Sequence, residues 1–201
     1  MKLIFMDFDR TIIEEDSIDK MKNILIKNKD CEKIWEDFEL QWKKNEITNY
    51  ECLLNQFLLY DFENYNELKQ INEQLTPING IDFFFKNYIQ EHLKYNFFIL
   101  SDNFYFIIGE VLQKFLDRIQ FAYLGTNCNF ITKDSITDFL RKEQTKSIKI
   151  FANFITSKNN YIRPILIYRN LCKKHLQASE VLCKKELKNL IIELKIGCQN
   201  I

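Results

Sequence analysis

A four-residue apolar run, Leu3 to Met6, that ends in two carboxylates, Asp7 and Asp9, and then Thr11 restricts the fold of this chain more than any other stretch. An unbroken run so short reads as a buried strand of a parallel sheet. The ligand crevice of such sheets lies beyond the carboxyl ends of the strands, so Asp7 and Asp9 stand at its edge. A carboxylate repelled by an anionic phosphate attacks it poorly, and a site of this kind therefore needs a divalent cation, typically Mg²⁺ held by oxygen ligands. With that cation, Asp7 can attack phosphorus and form an aspartyl phosphate. Asp9, two residues on, can protonate the leaving alcohol and later activate water. The same string also suits a plain strand-to-turn junction, where Asp and Thr are favoured by local hydrogen bonding.

Composition narrows the alternatives. With 201 residues and 46% hydrophobic content the chain can bury a full core, and one domain with an insertion fits better than two independent ones. Positive and negative side chains balance at 28 each, which argues against a nucleic-acid binder driven by a basic field. No run approaches the roughly eighteen apolar residues of a membrane span. The apolar start is interrupted at Asp7 before it can serve as a signal-peptide core. The expectation is a soluble cytoplasmic protein without a membrane partner. Six cysteines, Cys31, Cys52, Cys128, Cys172, Cys183 and Cys198, form no C-x-x-C pair, so neither a zinc ribbon nor a thioredoxin-like motif is indicated.

From Ser17 to about Leu75 the pattern is helical, with apolar residues at three and four spacing: Ile34, Trp35, Phe38 and Trp42, then Leu53, Leu54, Phe57 and Leu58. This module follows the first strand so closely that it reads as an insertion that leaves the sheet and returns at Thr76 to Gly80, before a helix from about Ile81 to Leu93. A second apolar run, Phe97 to Leu100, ends at Ser101 and Asp102. A helix with Ile107, Ile108, Val111, Leu112 and Phe115 on one face follows, and then the run Phe121 to Leu124, ending at Gly125, Thr126 and Asn127. Strand, helix, strand with polar residues at each strand end marks a parallel α/β layer. Ile148 to Ile155 and Ile162 to Tyr168 fit either strand or helix, and Arg141 to Lys149 reads as a solvated basic surface. Ser179 to Leu194 reads as a helix with Leu187, Leu190, Ile191 and Leu194 on one side and Lys184, Lys185 and Lys188 on the other.

The string DFDRTI after an apolar strand resembles the first motif of the haloacid dehalogenase (HAD) superfamily of phosphohydrolases. In that family the first Asp is the nucleophile and the second the general acid and base, which the resemblance carries to Asp7 and Asp9. It implies an α/β fold: a HAD-like Rossmannoid core with a parallel sheet and a helical cap inserted after the first strand. Residues 1–16 and 76–201 would form the core and 17–75 the cap. Ser101, directly after the second apolar run, stands where the superfamily's second motif places a phosphate-binding hydroxyl; Ser101 or Asp102 as a simple helix cap is the competing reading.

The chain also resembles a narrower group, the phosphatases of phosphoethanolamine, phosphocholine and pyridoxal phosphate. The likeness rests on DFDRTI with Ser17 downstream, TPINGI, ILSD, Thr126 with Asn127, and NLCKK at Asn170 to Lys174. It implies substrate contacts from Thr11, Ser101, Asp102 and Lys173. The similar string VLCKK makes Lys184 the second choice for the lysine. Phe104 stands where the group has Asn, SDNF is also similar to phosphatases of methionine salvage, and the stretch from about Thr137 to Arg163 reads as an insertion. The superfamily's fourth, acidic motif is missing from the end of the sequence, where Ile196 to Ile201 would fall, so the motif has either decayed or been truncated. Asp7 and the carbonyl of Asp9 would then hold Mg²⁺ with water and substrate oxygens. The expected function is Mg²⁺-dependent hydrolysis of a small phosphorylated metabolite, with the cap closing over the site. The alternative is a catalytically impaired phosphate-binding or interaction protein of the same fold.

Overall fold

The apolar run behind Asp7 forms strand β1 (Lys2–Met6), and the run before Ser101 forms β2 (Tyr95–Phe104), in a computed structural model that describes residues 2–61, 65–91, 95–115, 121–123, 133–142, 148–158, 161–165, 188–189 and 191–193. The two strands pair in parallel, Ile4 opposite Phe97 and Met6 opposite Ile99, so their carboxyl ends lie side by side. Between β3 (Phe121–Tyr123) and β2 runs β4 (Ile148–Lys158), giving the parallel order β1-β2-β4-β3, and β5 (Tyr161–Ile165) returns antiparallel along β4.

Position β4 overturns two expectations. The stretch from about Thr137 to Arg163 is not a peripheral insertion, because β4 lies inside the sheet with Ile148, Ile150, Phe151 and Ala152 fully buried. Nor does the basic segment end on a solvated face: Arg141 is exposed, but Lys149 is only 1% exposed. The first half of the strand, Ile148 to Ala152, is an apolar run interrupted by Lys149, a residue whose long aliphatic stem tolerates burial. A further helix, α7 (Lys133–Lys142), precedes it, and Phe139 of that helix meets Phe151 edge to face, ring centres 5.5 Å apart.

Helices α1 (Ser17–Leu25), α2 (Lys29–Lys43), α3 (Asn49–Phe57) and α4 (Tyr65–Glu73) form the cap inserted after β1. Their starts follow from residue type: Asp16 and Asn28 cap α1 and α2 through their carboxyl and amide oxygens, and Thr48 with Glu51 makes a reciprocal capping box on α3. The chain leaves and re-enters the core through a neck in which Glu14 N–H donates to Thr76 O and Ile78 N–H to Ile12 O, both at 2.9 Å. Helix α5 (Ile81–Glu91) then leads to β2, and α6 (Tyr105–Gln113) leaves it.

One apolar cluster joins cap and core: Met21, Leu25, Trp35, Phe57 and Ile71 pack with Phe8, Ile99, Phe104, Ile107 and Ile150. The helical stripes are only partly as expected. Trp35 and Phe57 are buried, but Ile34 is 47% exposed and Leu58 69% exposed, each one step round the helix from its buried neighbour. At the carboxyl end, residues 188–189 and 191–193 are helical and Ile191 is buried. Lys173, Lys174, Lys184, Lys185, the Thr126 and Asn127 pair, Leu187, Leu190, Leu194 and Ile196 to Ile201 lie outside the described residues.

Candidate active site

Phe8, just beyond the end of β1, is fully buried in the central cluster, and Asp7 and Asp9 on either side of it line one opening. The carbonyl of Phe8 accepts from the amides of Thr11, Ile12 and Ile13 at 3.3, 2.8 and 3.3 Å, which folds the chain sharply after β1. Arg10 completes the turn at φ 54°, a left-handed conformation, with its guanidinium 3.6 Å from Asp16. The amide of Phe8 donates to Asp7 Oδ1 at 2.8 Å and fixes the orientation of that carboxylate.

Asp9 is held from three sides. The amide and the hydroxyl of Ser17 donate to its Oδ1 at 2.8 and 2.5 Å, and Asn103 Nδ2 lies 3.5 Å from its Oδ2. Burial raises the Asp9 carboxyl to a pKa of about 6; the Ser17 hydrogen bonds oppose that rise, and the nearby charges of Asp16 and Asp7 add to it. A carboxyl in this range keeps its proton to about two pH units higher than an ordinary aspartate, which suits a general acid.

The two carboxylates open on a cavity of about 270 Å³ between the strand ends and the cap. Its floor is Asp7, Asp9 and Asp102, and its cap wall includes Asp19, Trp35, Glu39, Trp42 and Gln56. Among the described residues six carboxyl groups, those of Asp7, Asp9, Asp16, Asp19, Glu39 and Asp102, line it with one guanidinium, that of Arg10. Burial first, and then the charges of Asp16 and Glu39, hold the Asp19 carboxyl above its usual range. The cap residue Cys52 also borders the cavity, and burial pushes its thiol up to about 11, so it stays protonated and inert.

The structure brings Asp7, Asp9 and Asp102 to one cavity. Ser101 is not among the cavity-lining residues: it is fully buried, its Oγ accepting the amide of Asn103 at 3.0 Å. The helix-cap reading of Ser101 and Asp102 fails. Strand β2 continues through both residues, α6 begins only at Tyr105, and its N-cap position is Phe104 with no side-chain hydrogen bond. Thr11 is exposed on the turn and is not among the cavity-lining residues.

Sequence reasoning missed Asn103 as a site residue and the contact that Ser17 makes. Both are fully buried, and they join each other and Asp9 through hydrogen bonds. The available signal was an amide in the middle of an apolar strand end, where a buried polar group demands partners.

Among the described residues no three His, Cys, Asp or Glu side chains form a ready metal cage. Mg²⁺ does not need one, since it keeps several waters and takes one or two carboxylates plus substrate oxygens. The hard oxygen donors Asp7, Asp9 and Asp102, with carboxylate charge in excess around them, fit such an ion.

A parallel sheet carrying two carboxylates at the end of its first strand beneath a helical cap is the architecture of HAD-superfamily phosphatases. The chain belongs to the family described as Putative Phosphatase, whose pattern it matches over residues 2–189. Its fold is similar to that of phosphoserine phosphatase in two states. One is a phospho-aspartyl intermediate analogue (14% identity, TM-score 0.50, covering 81% of this chain and 62% of that one) and the other a substrate-bound complex (14%, 0.52, 83% and 63%). It is also similar to a HAD family hydrolase, t0658, from Salmonella enterica serovar Typhi (10% identity, TM-score 0.54, 81% and 43%). The chain therefore spans less than two thirds of the length of each of these proteins. No curated protein matches its sequence. Among the described residues no helix is long and apolar enough to cross a membrane.

Proposed function

We propose that the chain hydrolyses a small phosphate monoester through an aspartyl phosphate on Asp7. The observation that carries this reading is the pairing of Asp7 with a partly buried Asp9 on either side of Phe8, both opening on one cavity beneath the cap. Asp7 attacks phosphorus opposite the ester oxygen. As the P–O bond breaks, Asp9 gives its proton to the departing oxygen and the alcohol leaves. Water then attacks the aspartyl phosphate and passes a proton to Asp9; inorganic phosphate leaves, and both carboxyls return to their starting states. Ser101, fully buried next to the cavity-lining Asp102, donates its hydroxyl hydrogen to a phosphoryl oxygen once substrate binding uncovers it, and Lys173, with Lys184 as second choice, adds a positive charge. Asp7, the Asp9 carbonyl and Asp102 would hold Mg²⁺, which when bound supplies the charge that lets an anion approach an anion.

The substrate proposed is an amino-alcohol phosphate of the phosphoethanolamine or phosphocholine type, ahead of pyridoxal phosphate. On the cap wall Asp19 and the partly exposed Trp42 suit an ammonium group, by charge and by cation–π attraction, beside a Glu39 that Lys43 pairs at 2.5 Å and a buried Trp35 whose ring already lies 5.3 Å from Lys22 Nζ. The whole reaction is tested with purified protein, Mg²⁺ and an aryl phosphate: turnover is expected, and Asp7→Asn abolishes it. Equal rates from the two proteins reject Asp7 as the nucleophile.

A further inference from the structure

We infer that Asn103 is a positioning residue for the general acid: through Ser17 it fixes which oxygen of Asp9 delivers the proton to the leaving group. The inference rests on the acid role proposed for Asp9. Phe104 N–H donates to Asn103 Oδ1 at 2.7 Å, which settles the orientation of the side-chain amide and turns Nδ2 toward Ser17 and Asp9. Nδ2 donates to Ser17 Oγ. A hydroxyl has one hydrogen, and with its oxygen already accepting from Asn103, Ser17 directs that hydrogen to Asp9 Oδ1 at 2.5 Å. The Ser17 amide donates to the same oxygen at 2.8 Å. Oδ1 is thus held by two donors at 2.8 and 2.5 Å, against the single 3.5 Å contact from Asn103 Nδ2 to Oδ2, and the transferable proton belongs on Oδ2.

Three elements meet in this relay: the turn after β1, the carboxyl end of β2, and the first residue of cap helix α1. All of Ser17 and Asn103 is buried, so water cannot replace a missing donor without a cavity opening for it. A side chain that served only to fill the strand end would need none of this directionality.

Leaving-group chemistry separates positioning from packing. An alkyl phosphate needs its departing oxygen protonated, whereas 4-nitrophenyl phosphate leaves as a stabilised anion. In Asn103→Ala and Ser17→Ala, kcat/KM, which reports the steps through departure of the leaving group and not the shared hydrolysis of the aspartyl phosphate, is expected to fall by about ten-fold or more for phosphoethanolamine and by less than about three-fold for 4-nitrophenyl phosphate; general acid catalysis as a whole is worth about 10²–10⁴. Ser17→Thr, which keeps the hydroxyl, restores the alkyl rate. Asp9→Asn shows the same selectivity, more strongly. If the two alanine variants lose both substrates equally, or neither, while Asp9→Asn remains selective, the positioning role is overturned and the acid stands. Equal loss of both substrates in Asp9→Asn removes the acid assignment and this inference with it. Should Asn103→Ala fail to fold, Ser17→Ala decides alone, because it breaks the relay at its middle.

Discussion

Burial sets the chemistry of Asp9 before any substrate arrives, and it does so at a cost to the fold. Its carboxyl titrates near 6 in the folded chain against an ordinary 3.8, so between those values the native state binds more protons than the unfolded one. Stability contributed by this group is therefore full below about pH 4 and declines as pH rises to about 6, by ~3 kcal/mol. In urea unfolding at pH 4 and pH 7 with chelator present, Asp9→Asn is expected to flatten that decline and to be more stable than the parent at pH 7, while losing turnover of alkyl phosphates. An unchanged pH slope would show that the burial of Asp9 is not what it is taken to be here. The carboxylate pair was legible because two acids two residues apart directly follow a four-residue apolar run, the place where a parallel sheet opens its ligand crevice. Asn103 was not: its partner Ser17 lies 86 residues away, and no spacing rule connects an amide in one strand with a hydroxyl at the start of a helix.

Trp35, Glu39 and Trp42 recur at four- and three-residue spacing along α2, which aligns them on one helix face, and all three line the cavity. Sequence periodicity read the two tryptophans as part of a core stripe. Trp35 is indeed buried, but Trp42 is 41% exposed, because the stripe runs off the core and onto the cavity rim. Elements whose apolar residues serve only packing, such as β1, β2 and α6, were readable; β4 was not, since Lys149 breaks its run and polar residues precede it. The cap wall makes a distinct prediction. Glu39→Gln keeps the shape of the side chain, removes its charge and leaves Lys43, its partner at 2.5 Å, uncompensated, so kcat/KM for phosphocholine should fall several-fold, mostly through KM, on the scale of ~1 kcal/mol for a partly exposed charge. The rate with an uncharged alkyl phosphate should hold or rise. A uniform loss across both substrates would place Glu39 outside substrate selection.

Cap and core share a seam as well as a cavity. Phe57 at the end of α3 lies 5.3 Å, ring centre to ring centre, from Phe104 at the end of β2, and Trp35, Met21 and Leu25 belong to the same buried cluster as Ile99 and Ile107. Separating the two parts would expose this surface on both sides, at roughly 25 cal/mol for each Å² of apolar area returned to water. The relay from Asn103 to Ser17 crosses the same boundary. The chain is accordingly expected to unfold as one cooperative unit. Its two tryptophans, Trp35 and Trp42, both lie in the cap, so fluorescence reports the cap alone while far-ultraviolet circular dichroism reports all the helices and strands. In a urea titration the two signals should trace one transition with a common midpoint. Phe57→Ala, which removes a cap side chain from the seam, should shift both midpoints down together by the ~3–5 kcal/mol typical of a buried aromatic. If fluorescence instead falls before the dichroism does, the cap melts on its own. The apolar seam would then be too weak to hold the cap over Asp7 and Asp9, and the cavity would form only when substrate brings its two walls together.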